Sequence, residues 1–275
     1  MRKRILITVL TYPCPSDSHI ETVCTAGITD KGEWVRIYPI QLRMMGNGLH
    51  KYNWYDFEVE QRSKDFRKES FHCLSVPDGI SKGVVSTEND WELRRKICID
   101  EVGFYTNIEK LLDDGSPVEN PNFISLATFK PSRIIDFRCV HRDIEKDEEK
   151  KDQIIHDLKA QPSLFGENEV PDYWKMAKSI PYDFKYKFAD DSGTVAEYNV
   201  EDWEVGSLYL NCLKASGSEE EAIRKVKSRY FDDFLEKDLY FFMGTRLKHQ
   251  QRHWRNPFSI IGVFYPPVIQ QPSLF

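Results

Sequence analysis

The chain lacks any apolar run near the roughly 20 residues that a membrane helix needs. Its six cysteines, at 14, 24, 73, 98, 139 and 212, include no C-x-x-C pair, which excludes the common zinc-ribbon and dithiol redox spacings. No P-loop, G-x-G-x-x-G, G-x-S-x-G or H-E-x-x-H occurs, so the common ATPases, dinucleotide enzymes, α/β-hydrolases and zinc proteases drop out. The basic start, Met1 to Arg4, precedes only six strand-like residues at 5–10, too few for a secretory core. Reduced thiols and a cytoplasmic location are the expectation. An excess of positive charge is also lacking: a net charge of −6 excludes a uniformly basic nucleic-acid coat, although an acidic body can carry a local basic patch.

Aromatic residues are abundant, at 13% of 275, and most must fill a core. The expected fold is α+β. Residues 5–11, 21–28, 34–40 and 55–61 read as short strands separated by turns, which predicts a β-rich N-terminal barrel or curled sheet. Helical spacing follows at 88–99 and 108–112, and 133–140 returns to strand character. The run 143–152 (DIEKDEEKKD) cannot face a core; it reads as a solvated helix or a linker and marks the expected boundary. The predicted organisation is an N-terminal domain over 1–142, a charged linker over 143–180, an α+β domain over 181–267 and a tail over 268–275.

Within the last domain, 182–188 and 194–200 flank a turn and predict a hairpin. A helix is expected over 201–214 despite Gly206, and a second one opens at a capping box, Ser218 with Glu221. That second helix carries Ile223, Val226, Tyr230, Phe231, Phe234 and Leu235 on one face, and strands follow at 239–247 and 258–265.

Residues 161–165 and 271–275 both read Gln-Pro-Ser-Leu-Phe, within flanks that share nothing. The pentapeptide resembles the linear motif by which bacterial polymerases and repair proteins bind the sliding clamp, usually Gln-Leu-Ser/Asp-Leu-Phe. Gln161, Ser163, Leu164 and Phe165 match it, as do Gln271, Ser273, Leu274 and Phe275, while Pro162 and Pro272 replace the usual Leu. The resemblance implies a bacterial sliding clamp as partner, with Leu and Phe filling an apolar pocket and Gln bonding beside it. Two copies suit a ring with several equivalent pockets. The alternative is that one or both copies pack into the protein's own core. Segments 21–28, 34–40 and 257–266 also resemble uncharacterised bacterial proteins to which no activity is attached.

Residues 246–255 hold Arg246, Lys248, Arg252 and Arg255 with His249, His253 and Trp254, and no acid. Such a segment could neutralise phosphates and stack a base, so DNA is a second expected partner. An exposed hairpin loop that balances nearby acids is the plainer reading. Arg36, Tyr38, Arg43 and His50 could add a second polar surface.

Asp191, Glu201, Asp202 and Glu204 are the candidate catalytic carboxylates, with Asp190 and Glu197 close in sequence. Converging, they could hold Mg²⁺ for phosphodiester chemistry. The structural alternative assigns Glu201 and Asp202 to a helix N-terminus and Asp190 and Asp191 to a turn. Cys139 with His141 and His72 with Cys73 lack finger spacing, so no metal or cofactor is expected outside the Mg²⁺ reading. Cys14, Cys24 and Cys98 read as small core fillers. The leading expectation is a DNA-metabolism protein of repair, modified-base recognition or defence, tethered to the clamp. Its rivals are a metal-dependent nuclease or nucleotide-processing enzyme, and a protein adaptor.

Overall fold

A computed structural model describes residues 1–16, 20–41, 49–61, 65–75, 77, 83–160 and 176–269. The N-terminal strands are β1 (Arg2–Leu10), β2 (Cys14–Ser16), β3 (Ile20–Thr29), β4 (Trp34–Gln41), β5 (Trp54–Gln61) and β6 (Ser70–Ser75). They run in the order β1-β5-β6-β4-β3, and a further β1–β3 pairing closes a five-stranded barrel, with β2 attached to β3. Among the described barrel strands, only β4 and β6 pair in parallel. Closure leaves no free edge among those five strands.

Ile5, Ile7, Val23, Val35, Ile37, Tyr55, Phe57 and Val59 belong to the barrel's own core. Leu6, Val9, Ala26 and Ile28 join Tyr240, Phe242, Ile261 and Phe264 in a separate core between barrel and second sheet. This explains why β1 reads as an unbroken apolar run: both of its faces are covered, so strict alternation is lost.

The second sheet contains β7 (Leu126–Phe129), β8 (Arg133–His141), β9 (Tyr182–Ala189), β10 (Val195–Val200), β11 (Tyr240–Thr245) and β12 (Phe258–Phe264), in the order β7-β11-β12-β10-β9-β8. Six α-helices accompany the strands among the described residues: α1 (Glu88–Arg95), α2 (Ile108–Asp114), α3 (Glu145–Ala160), α4 (Trp203–Ser216), α5 (Glu219–Lys227) and α6 (Leu247–Gln251). Helices α1 and α5 each run on into a π-helical turn, at Lys96–Asp100 and Ser228–Asp233. The α+β class holds, as do the hairpin β9–β10 and the succession of two helices and two strands after it. None of the described helices is long and apolar enough to cross a membrane.

Three local readings need correction. Strands β7 and β8 lie within residues 1–142 yet belong to the second sheet, so the change of sheet precedes β7; of the two readings of the charged run, the helical one holds, as α3. At Ser218 only half of the capping box forms. The hydroxyl accepts from the Glu221 amide at 3.3 Å, but the Glu221 carboxylate takes Arg224 at 2.7 and 2.8 Å. The π turn after α5 shifts the buried line to Ala222, Val226, Tyr230 and Phe234, which leaves Leu235 exposed.

Gly206 persists inside α4 because Tyr12 and Ile180 press on it. A Cβ there would lie 2.5 Å from Tyr12 Cδ2 and 2.7 Å from Ile180 Cδ1. Gly206→Ala should therefore destabilise by about 1–3 kcal/mol through overpacking, despite a helix-propensity gain of about 1 kcal/mol. A urea midpoint at or above that of the wild type would refute the close packing.

Candidate nucleic-acid surface

Strand β11 ends at Thr245, and α6 with the turn after it carries the basic segment before β12 begins. Gln250 holds this excursion down. It is buried, its Oε1 accepts from Thr245 Oγ1 at 2.8 Å, and its Nε2 donates to the Gly115 carbonyl at 3.3 Å. The Thr245 carbonyl accepts from two buried arginines of the barrel, Arg67 Nη1 at 2.8 Å and Arg36 Nη2 at 3.3 Å. Arg36 also donates to the hydroxyl and carbonyl of Ser125, at 2.7 and 3.1 Å.

Two guanidinium groups under one carbonyl need a counter-charge. Asp65 supplies it, accepting from Arg67 Nε at 2.8 Å and Nη2 at 2.7 Å, and from Ser70 Oγ at 2.7 Å. Burial alone would raise the Asp65 carboxyl, but the Arg67 bonds and charge, with the Ser70 hydroxyl, carry it down to about 2. Burial, then the nearby Arg67 charge, lowers Arg36. Arg36 is therefore part of a buried frame rather than a polar surface. His50 is exposed, Tyr38 is half-buried, and Arg43 lies outside the described residues.

On this frame Arg246, Lys248, Arg252, His253, Trp254 and Arg255 are exposed, and His249 is half-buried. Trp254 stacks on His249 with ring centres 4.1 Å apart and planes 19° from parallel. Burial, followed by the Arg246 charge, lowers the His249 pKa, which favours the neutral ring at pH 7. Arg246 pairs with Glu201 at 2.6 Å and Arg255 with Glu109 at 3.3 Å. Among the described residues, Lys248 and Arg252 have no carboxylate partner, so their charges are open to an outside anion.

The candidate catalytic carboxylates are already engaged, Asp202 and Glu204 by the same lysine. Asp191 accepts from Thr106 Oγ1 at 2.6 Å and Asn107 Nδ2 at 3.2 Å, while Asp190 caps the Ile108 amide at 2.9 Å. Glu201 faces Arg246. Asp202 is fully buried, accepts both bonds from Lys51 Nζ at 2.7 and 2.9 Å, caps the Glu204 amide at 3.1 Å and accepts from the Val263 amide at 3.1 Å. Glu204 lies 3.3 Å from Lys51, its carboxyl raised chiefly by burial. No group of three His, Cys, Asp or Glu among the described residues can hold a metal ion.

Of the expected core cysteines, Cys98 is buried, Cys24 half-buried and Cys14 exposed. Both pentapeptides, with Gln161, Ser163, Leu164, Phe165, Gln271, Ser273, Leu274 and Phe275, lie outside the described residues. The frame residues Asp65, Arg67 and Gln250 escaped the sequence reading. The one available signal was a dense run of charge at 64–69, broken only by Phe66, directly before a strand.

Fold and surface together define an α+β protein in which a closed five-stranded barrel braces a six-stranded sheet, with a cationic turn at the junction. The chain belongs to the family described as domain of unknown function DUF8757, whose model matches residues 108–275. Residues 1–100 match a second family model, domain of unknown function DUF8758. No curated protein is significantly similar to the chain.

Proposed function

We propose that this protein works at DNA in the bacterial cytoplasm, in repair, modified-base recognition or defence. The Gln-Pro-Ser-Leu-Phe peptides tether it to the sliding clamp while residues 246–255 touch nucleic acid. The observation that carries the reading is the cationic turn: open charges at Lys248 and Arg252 flank an exposed aromatic stack, all on a buried Arg–Asp frame. Phosphates need the charges and bases need a ring face, and a rigid base lowers the entropy cost of presenting both.

The approach to the second pentapeptide supports the tether. The Pro267 carbonyl accepts from Arg95 Nη2, and the Pro266 carbonyl accepts from the Asp238 amide at 2.9 Å. Just beyond this anchor, Val268 and Ile269 are 56% and 58% exposed.

Fluorescence anisotropy with a labelled single-stranded oligonucleotide tests the nucleic-acid contact. Lys248→Ala/Arg252→Ala should weaken binding at low salt about tenfold and flatten the log–log salt slope by about 1.4, the share of two phosphate contacts on a single strand. Neither side chain bonds the core, so thermal stability should stay as in the wild type. Absence of binding by the wild type at low salt would refute the contact.

A further inference from the structure

An open cleft of about 510 Å³ lies at the seam between barrel and second sheet, and no part of the proposed function uses it. That volume falls in the range of small-molecule sites. Its walls are rich in rings: Trp34 from β4, Tyr105 from the segment before α2, and Phe123 from the segment before β7. Two lysines stand among the lining residues, Lys3 poised 4.7 Å over the Phe71 ring and Lys68 exposed, with its Nζ on Asn122 Oδ1 at 2.6 Å.

Glu69 gives the cleft a directional polar group. Its Oε1 accepts from the Ser125 amide at 2.5 Å, which fixes the carboxylate, while Oε2 makes no hydrogen bond among the described residues. A fixed acceptor beside flat apolar walls suits a planar ring that carries N–H donors. Lysines alongside suit a phosphate attached to that ring. The Ser125 carbonyl in turn accepts from the Thr245 amide at 3.0 Å, and Arg246 comes next. One hydrogen-bonded path therefore leads from the cleft wall to the start of the cationic turn.

We propose that this cleft binds a nucleobase carrying a 5′-phosphate, with the ring against Trp34, Tyr105 and Phe123. Glu69 accepts from the base edge, and Lys3 and Lys68 face the phosphate. The base can come from a free mononucleotide or from a strand held at residues 246–255. Only the second source rests on the nucleic-acid reading above.

Isothermal titration of the full chain with each of the four deoxynucleoside monophosphates, beside a 12-residue single strand, separates the sources. The variants are Glu69→Gln, which removes the charge from the base-edge acceptor, and Lys68→Glu. Lys68 is exposed, so its variant keeps the fold even if Glu69→Gln loosens the Ser125 contact. At least one monophosphate should bind with a Kd below about 1 mM. Lys68→Glu should weaken it about tenfold through repulsion of the phosphate. Glu69→Gln should change the ranking of the four bases. Mononucleotide binding without strand binding supports the cleft and removes the nucleic-acid surface. Strand binding with no bound mononucleotide, untouched by either variant, overturns the cleft and leaves the surface standing.

Discussion

Asp65→Ala is expected to lower stability by about 3–5 kcal/mol, read as the shift of a urea or thermal unfolding transition. The size follows from what stays behind. Arg67 and Arg36 are almost wholly buried, and both point at the Thr245 carbonyl. Without Asp65 the desolvated Arg67 loses the carboxylate it is paired with, Arg36 beside it loses a weaker counter-charge, and breaking a buried pair typically costs that much. The acid limb should report the same group. Its folded pKa, about 2, lies below the ordinary 3.8, so its contribution is complete above about pH 5 and fades as pH falls through 2. That difference of nearly two units corresponds to about 2 kcal/mol. The variant should show a correspondingly shallower loss of stability between pH 5 and 2. A variant as stable as the wild type at pH 7 would mean that the buried arginines do not depend on Asp65.

The second large effect falls on Asp202, one of the candidate catalytic carboxylates. Asp202→Ala removes three things together: the cap on the Glu204 amide, the acceptor for the Val263 amide, and the acceptor of both hydrogen bonds from Lys51 Nζ. Lys51 is itself almost fully buried, so its charge would retain only Glu204, which is half-exposed. A loss of about 3–5 kcal/mol follows, the cap accounting for about 1. Glu204→Ala should cost less than about 1 kcal/mol, since one face of that carboxylate meets water. Comparable small losses from both substitutions would contradict the assignment of Asp202 as the buried counter-charge of Lys51.

Much of the architecture could be read from local pattern. The hairpin 182–200 alternates because one of its faces meets the core and the other meets water, and Ser218 caps where a hydroxyl should. Barrel closure could not be read, because β1 pairs with both β3 and β5, and such long-range partners leave no mark on local periodicity. That β8 and the unpredicted β7 join the second sheet is hidden for the same reason, since their partners β9 and β11 lie beyond a charged helix.

The site divides along similar lines. The basic turn was visible because charge concentrates there in sequence. Its frame was not: Arg36 sits in a strand whose alternate residues enter the barrel, and the sequence does not say that a second sheet covers the other face. The carboxylates at 201, 202 and 204 looked like a cluster in one dimension. Helix geometry splits them: Glu201 goes to Arg246, while Asp202 enters the core and shares the Lys51 ammonium with Glu204.

The clamp tether is the central claim, and binding of the intact protein to a bacterial sliding clamp tests it most directly. Titration calorimetry should give micromolar or tighter affinity. Leu274→Ala/Phe275→Ala should weaken it at least tenfold, and adding Leu164→Ala/Phe165→Ala should abolish what avidity remains. Wild-type protein that does not bind the clamp, or binds equally well with all four residues changed, would contradict the account.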